Sequence, residues 1–239
     1  CGKVYVETSD SAEWGKEPRC LGVFSSIEEA LNVQKRLDTE LAAFYKHVVH
    51  ERLEHLVIVE RRRFGALVLE PLVMGAGGMI FVDPLFQRCL VDVVREREDL
   101  FSLTDPPLQH AHMGRVNPAR PDGEWRGLPV IFDEVFTGLR RLGCKMGADI
   151  LGTTPDISCL AKILSGGLVP MSVTLASESI YSTFACSREK THALLHGHSY
   201  TAHPVGCQVA IETLDVLEDM DLNGSWTSYQ EQWLSLIHI

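Results

Sequence analysis

The chain has 239 residues, 45% of them apolar and 23% charged, with a formal charge of −10. That length suits one large globular domain or one and a half small ones. The acidic balance argues against nucleic acid as the main partner, because phosphate binding needs a basic surface. Seven cysteines (1, 20, 89, 144, 159, 186 and 207) are scattered without a CxxC pair. This pattern fits buried thiols in a reducing compartment rather than a disulfide framework. No run reaches the ~20 apolar residues of a membrane span. The opening "CGKVYVETSD" has neither the apolar core of a signal peptide nor the Arg- and Ser-rich look of a transit peptide. The chain is therefore expected to begin inside a longer protein or after trimming.

Residues 1–24 carry weak strand and turn signals. Ser26 reads as an N-cap followed by Glu28 and Glu29. Leu31, Leu37, Leu41 and Phe44 then recur at helical spacing, which predicts one helix over about 26–50. Leu56–Val59 is a short apolar run. "GALVLEP" is a cleaner strand signal that ends in Glu70-Pro71, and Gly75, Gly77 and Gly78 make a flexible loop after it. Asp83 and Pro84 occupy the N-cap and first position of a helix with Leu85, Leu90, Val91 and Val94 as its buried stripe. Residues 99–127 show no period and are rich in Pro, Gly, Asn and Asp, so they read as a surface insertion.

Order returns with "LPVIF" as a strand, running directly into Asp133 and Glu134. "PDISCLAKILSGG" follows, then "MSVTLASESIYSTF", strand-like at first and helical from about Ser177. "TAHPVGCQVAIETLDVLEDM" is a helix with Pro204 near its start and a stripe of Val205, Val209, Leu214 and Leu217. Residues 221–239 stop without completing an element, and the final "LSLIHI" reads as a foreign end. Continuous apolar runs alternating with helical patterns imply βαβ units. The expected fold class is α/β, with a mostly parallel sheet and helices on both faces.

Ligands of open α/β sheets bind at the carboxyl ends of the strands. Two strands here end in acids, Glu70 and the Asp133-Glu134 pair. Read locally, these acids either cap the next turn or hold a cationic partner protonated. Lys162 lies among apolar residues before Ser-Gly-Gly. It either snorkels to solvent or is desolvated enough to form a Schiff base with a carbonyl cofactor. A carboxylate and a lysine so placed match what pyridoxal 5'-phosphate requires: a partner for its ring nitrogen and an amine for its aldehyde. Gly197 and Ser199, just before a helix, can serve as a phosphate anchor. His192, His196, His198 and His203 cluster in sequence, but no zinc-type spacing appears, so no metal site is expected.

Together these segments resemble the class III, fold type I, pyridoxal-phosphate aminotransferases. The family's ordered signatures match "LVLEPLVMGAGGM", "FDEVFTGLRRLG" and "PDISCLAKILSGG" over about 65–220, outside the insertion. "GGMIFVDPLFQR" and "HGHSYTAHPVGC" are most similar to the diaminopelargonic acid aminotransferase branch. Members of that branch move an amino group from S-adenosylmethionine to 8-amino-7-oxononanoate in biotin synthesis. In eukaryotes that enzyme is fused behind a dethiobiotin synthetase domain and works in mitochondria. The alternatives are an ornithine- or 4-aminobutyrate-type relative, a fragment without activity of its own, and a cytoplasmic location.

The resemblance implies that Lys162 is the Schiff-base lysine and proton shuttle and that Asp133 pairs with the pyridine nitrogen. Val135 would pack on the ring. His198 and Ser199 would reach a phosphate across a homodimer interface, and Gly197 would line the substrate pocket. Glu70 would be a further acid near the ring, and Glu134 would support the turn. The resemblance divides the chain into a partial N-terminal segment (1–64), an incomplete cofactor-binding large domain (65–220) and a truncated tail (221–239). Two expected parts have no counterpart: a glycine-serine phosphate cup before residue 65 and a carboxylate-binding arginine after the large domain.

Overall fold

The computed structural model describes residues 3–8, 19–101, 127–185, 189, 193–194 and 196–224. Strands β1 (Val4–Glu7) and β2 (Cys20–Phe24) form an antiparallel pair. The helix expected over 26–50 is instead three helices, α1 (Ile27–Leu31), α2 (Val33–Arg36) and α3 (Glu40–Glu54). Two polar side chains cause the breaks. Asn32 accepts from the Lys35 amide at 3.2 Å, and Thr39 accepts from the Ala42 amide at 3.3 Å. Each restarts a helix by satisfying an amide that the first turn leaves unpaired. The expected Ser26 cap is present. The buried stripe of α3 is Ala42, Tyr45, Val49 and Leu53, whereas Phe44 is exposed. The apolar run after α3 is a π-helical turn, His55–Val59.

A four-stranded sheet, ordered β3-β6-β7-β8, holds the middle of the molecule. Its strands are β3 (Leu67–Leu69), β6 (Val130–Asp133), β7 (Ile157–Leu160) and β8 (Val173–Ala176). The first three run parallel and β8 runs antiparallel to β7, so the sheet is mixed but mostly parallel. The hairpin β4 (Val73–Met74) and β5 (Ile80–Phe81) and the helices α4 (Pro84–Glu96) and α5 (Glu98–Phe101) lie between β3 and β6 in sequence. The part of the expected insertion that is described thus opens with α5 and closes at Gly127; residues 102–126 lie outside the described residues. The remaining helices are α6 (Gly147–Leu151), α7 (Glu178–Ala185) and α8 (Pro204–Leu222).

Val130 and Phe132 of β6 are fully buried in one core with Val91, Val93 and Val94 of α4, Val49 and Leu53 of α3, and Leu151 of α6. Alternation along β6 is what sends these two residues to the helix-covered face. The other face is less covered among the described residues: Val68 is 62% exposed. Helix α4 is anchored at its start. Asp83 caps the Leu85 amide and accepts a two-pronged ion pair from Arg36 at 2.9 and 2.7 Å, with Tyr45 Oη donating to it at 2.9 Å. Burial and the Asp83 charge push the Tyr45 phenol above its usual range, so it remains a donor. Helix α8 departs from the expected stripe. Val205 and Leu214 are exposed, while the small residues Gly206 and Ala210 are buried. α8 packs against the turn after β7. Gly206 lies close to Met171: a Cβ there would sit 3.3 Å from Met171 Sδ, so the thioether would have to shift by a few tenths of an ångström.

Candidate active site

Parallel register sets the site. Leu69 pairs with Phe132 and Asp133 pairs with Cys159. The residue that ends or follows each strand therefore emerges at one edge: Glu70 after β3, Asp133 at the end of β6, and Lys162 two residues beyond β7. The sheet brings together three of the expected site residues that lie 63 and 29 residues apart along the chain.

Each is held by a distinct local device. The Glu70-Pro71-Leu72 turn is clamped from α4 by Gln87, which accepts from the Leu72 amide at 2.7 Å and donates to the Glu70 carbonyl at 2.8 Å. Glu70 Oε2 in turn accepts from the Gly75 amide at 2.8 Å. Asp133 Oδ1 accepts from the Val135 amide at 3.1 Å, which aims the carboxylate at the turn. Val135 is half-buried beside it.

Glu134 is the best-satisfied acid in the site. It is 1% exposed and accepts from the Gly147 amide at 2.6 Å, the Ala148 amide at 3.0 Å and Thr137 Oγ1 at 3.3 Å. Burial still raises its carboxyl above the usual range against those three bonds. Its position closes the loop after β6 onto α6 and supports the turn, as the sequence reading expected. Gly147 itself abuts the Glu70 turn, where a Cβ would meet Pro71 Cβ at 2.6 Å.

Lys162 opens a 3₁₀ turn, Lys162–Ser165, with φ at +51°. A side chain larger than glycine's in that region is strained by about 1–2 kcal/mol. Such strain persists where the surroundings fix it, and it is concentrated at functional sites. The lysine is exposed rather than desolvated in a closed cleft. Its Nζ lies 5.4 Å from the centroid of the Phe136 ring.

Gly197, His198 and Ser199 are not brought to this edge. They sit on an exposed loop before α8, where His198 Nδ1 accepts from the Tyr200 amide and the His198 amide donates to Thr201 Oγ1, both at 3.0 Å. Met171, His198, Tyr200 and His203 line a cavity of about 690 Å³ beside α8. No hydrogen bond or ring contact links this loop to Glu70, Asp133 or Lys162 among the described residues. His192 lies outside them, and no group of His, Cys, Asp or Glu among them has the arrangement to hold a metal.

The donor set fits the two ends of pyridoxal phosphate that the sequence reading assigned: an accessible amine for the aldehyde and a fixed carboxylate for the ring nitrogen, on neighbouring strands. A phosphate site is not assembled with them among the described residues. Sequence reasoning missed Gln87 and Phe136. Gln87 left a signal, a polar residue in the apolar run "LFQRCL". Phe136 left none, since an aromatic residue in a turn reads equally well as packing.

Residues 125–234 match the family model described as aminotransferase class-III. The chain is 50% identical over 212 residues to a bifunctional dethiobiotin synthetase/adenosylmethionine-8-amino-7-oxononanoate aminotransferase of Emericella nidulans, covering 88% of this chain and 26% of that protein. It is 39% identical to the mitochondrial bifunctional dethiobiotin synthetase/7,8-diamino-pelargonic acid aminotransferase of Arabidopsis thaliana, covering 87% of this chain and 21% of that protein. Among solved structures it is similar to an amine transaminase from an uncultivated Pseudomonas species in PLP-bound form, with 30% identity and a TM-score of 0.55, over 77% of this chain and 34% of that one. The chain thus spans between about a fifth and a third of the length of these relatives.

Proposed function

The chain belongs to the class III aminotransferases, and on that premise we propose that it supplies the lysine- and aspartate-bearing centre of a pyridoxal-phosphate aminotransferase of biotin synthesis. The whole protein would move an amino group from S-adenosylmethionine to 8-amino-7-oxononanoate, as the names of its relatives in Emericella and Arabidopsis describe for those proteins. The observation that carries the reading is the sheet register, which puts Glu70, Asp133 and Lys162 at the ends of three adjacent parallel strands.

Pyridoxal phosphate, when bound, supplies an aldehyde and an electron-withdrawing ring that spreads the charge left when a substrate C–H proton departs. The chain's own residues do the rest. Lys162 Nζ holds the cofactor and, once free, takes the substrate proton and returns it to the acceptor carbon. The Asp133 carboxylate keeps a proton on the ring nitrogen. Val135 packs beside that carboxylate, and Glu70 adds negative charge at the same edge. We assign His198 and Ser199 to the phosphate of a second subunit's site in a homodimer, and Gly197 to the lining of the substrate pocket; the exposure of their loop supports this. The domain division at about residues 65 and 220 follows from the same reading, as do a fused dethiobiotin synthetase and a mitochondrial location, the last supported only by the plant relatives' names.

The full-length protein should form 7,8-diaminononanoate from 8-amino-7-oxononanoate with S-adenosylmethionine as donor. Lys162→Ala should reduce that rate by at least about a thousandfold, since it removes both the attachment point and the proton carrier. A protein that instead used ornithine or 4-aminobutyrate would overturn the substrate assignment and keep the reaction class.

A further inference from the structure

Asp156 stands just before β7, at the opposite end of that strand from Lys162. It grips both backbone groups of Val130, the first residue of β6. Its amide donates to the Val130 carbonyl at 2.8 Å, and its Oδ2 accepts from the Val130 amide at 2.7 Å. Its carbonyl accepts from the Ser177 amide, just beyond β8, at 2.9 Å. Arg95 reaches over the same turn from α4, donating to Thr153 Oγ1 at 3.0 Å and to the Thr154 carbonyl at 2.6 Å, and lies 3.4 Å from Asp156 Oδ2. Asp156 and Val130 are both buried, at 2% and 0% exposure. Burial holds the Asp156 carboxyl above its usual range against the Val130 and Arg95 contacts. Its Oδ1 is buried without a hydrogen-bond partner among the described residues.

β6 and β7 pair over a short stretch, Ile131 with Ile157, Phe132 with Ser158 and Asp133 with Cys159. A slip of one residue would exchange the buried Ser158 and Leu160 for the half-buried Ile157 and Cys159, and the burial pattern opposes it. A slip of two residues keeps every side chain on its face and still carries Lys162 about 7 Å along the strand. The Asp156 side chain penalises that slip, because the Val130 amide and the carboxylate would each be buried without the other. We propose that Asp156 is a positioning residue whose grip on Val130 sets the strand register that holds Lys162 at its working separation from Asp133. The inference rests on the reading of Lys162 and Asp133 as the partners of the cofactor's aldehyde and ring nitrogen. Those two ends are a fixed distance apart, so one spacing of the strand ends serves both at once. A misplacement of about 1 Å in such a pair costs up to about a hundredfold in rate. The grip requires an acceptor at the Oδ2 position and not a charge.

The test titrates pyridoxal phosphate into the cofactor-stripped full-length protein and follows the visible absorption of the lysine-bound cofactor, with Asp133 native and in an Asp133→Asn background. Asp156→Asn keeps the acceptor for Val130 and places its NH2 where Oδ1 has no donor to lose, so it should bind within about twofold of wild type. Asp156→Glu keeps a charge for Arg95, but its extra methylene displaces the oxygen from the Val130 amide. It should bind about tenfold more weakly with Asp133 native, and less than about twofold more weakly in the Asp133→Asn background, where no pair is left to align. Should Asp156→Glu fail to fold, Asp156→Ala combined with Arg95→Met removes the acceptor and the stranded charge together and makes the same comparison. A residue that only stabilised the fold would weaken binding equally in both backgrounds. An ion pair with Arg95 as the working contact would make Asn the damaging change and Glu the silent one. Either result, or wild-type binding by Asp156→Glu, would overturn the proposal. A wild-type protein without the band, the same band persisting in Lys162→Ala, or undiminished binding by Asp133→Asn would instead remove the reading of Lys162 and Asp133, and the role of Asp156 with it.

Discussion

Glu134 shows how a single buried acid can organise a site without touching its chemistry. Its three accepted bonds tie the turn after β6 to α6, and α6 packs on Pro71 beside Glu70. Because burial raises its carboxyl above the ordinary value of 4.5, the folded state holds the proton more tightly than the unfolded chain. Its contribution to stability is fully present below about pH 4.5 and is lost as pH rises through the folded value. Denaturant midpoints measured across pH should therefore show the stability of wild type relative to Glu134→Gln falling with rising pH. A difference that grew with pH would contradict this. The sequence marked the two adjacent acids as unusual and assigned the supporting role to Glu134. It did not reveal the partners, since Gly147 and Ala148 lie 13 and 14 residues away on another element.

At the scale of elements, α4 depends on a side chain that serves twice. Asp83 caps the helix and is the only hydrogen-bonding acid of the Arg36 guanidinium among the described residues, with both side chains nearly buried at 4% and 7% exposure. Asp83→Ala removes the cap, worth about 1 kcal/mol, and strands a buried charge, worth about 3–5 kcal/mol. Thermal or denaturant unfolding should show a loss of about 4 kcal/mol or more. A loss under 1 kcal/mol would mean that the Arg36 charge finds water. The cap was legible because Asp-Pro before an apolar stripe is a local signal. The ion pair was not, because 47 residues separate its partners. Helix breaks at Asn32 and Thr39 were hidden by leucines that kept a helical period through them. The α8 stripe misled for the opposite reason: small residues, Gly206 and Ala210, make its close contact and carry little hydropathy.

The whole molecule contributes what no element holds alone, the alignment of three strand ends. Alternating apolar runs and helices made the mostly parallel sheet legible, and acids and a lysine after those runs made the edge a candidate site. No hydrogen bond or ring contact joins the exposed loop with His198 and Ser199 to that edge among the described residues. Lys162 should be singled out by the folded sheet and not by its chemistry as a lysine. The most direct measurement is borohydride reduction of the full-length protein loaded with pyridoxal phosphate, followed by peptide mass spectrometry, in native buffer and in denaturant. A single pyridoxyl-labelled lysine at Lys162 in the native protein, lost on unfolding and absent in Lys162→Ala, is the predicted result. Labelling of another lysine in its place, or labelling of Lys162 no greater in native than in unfolded protein, would contradict it.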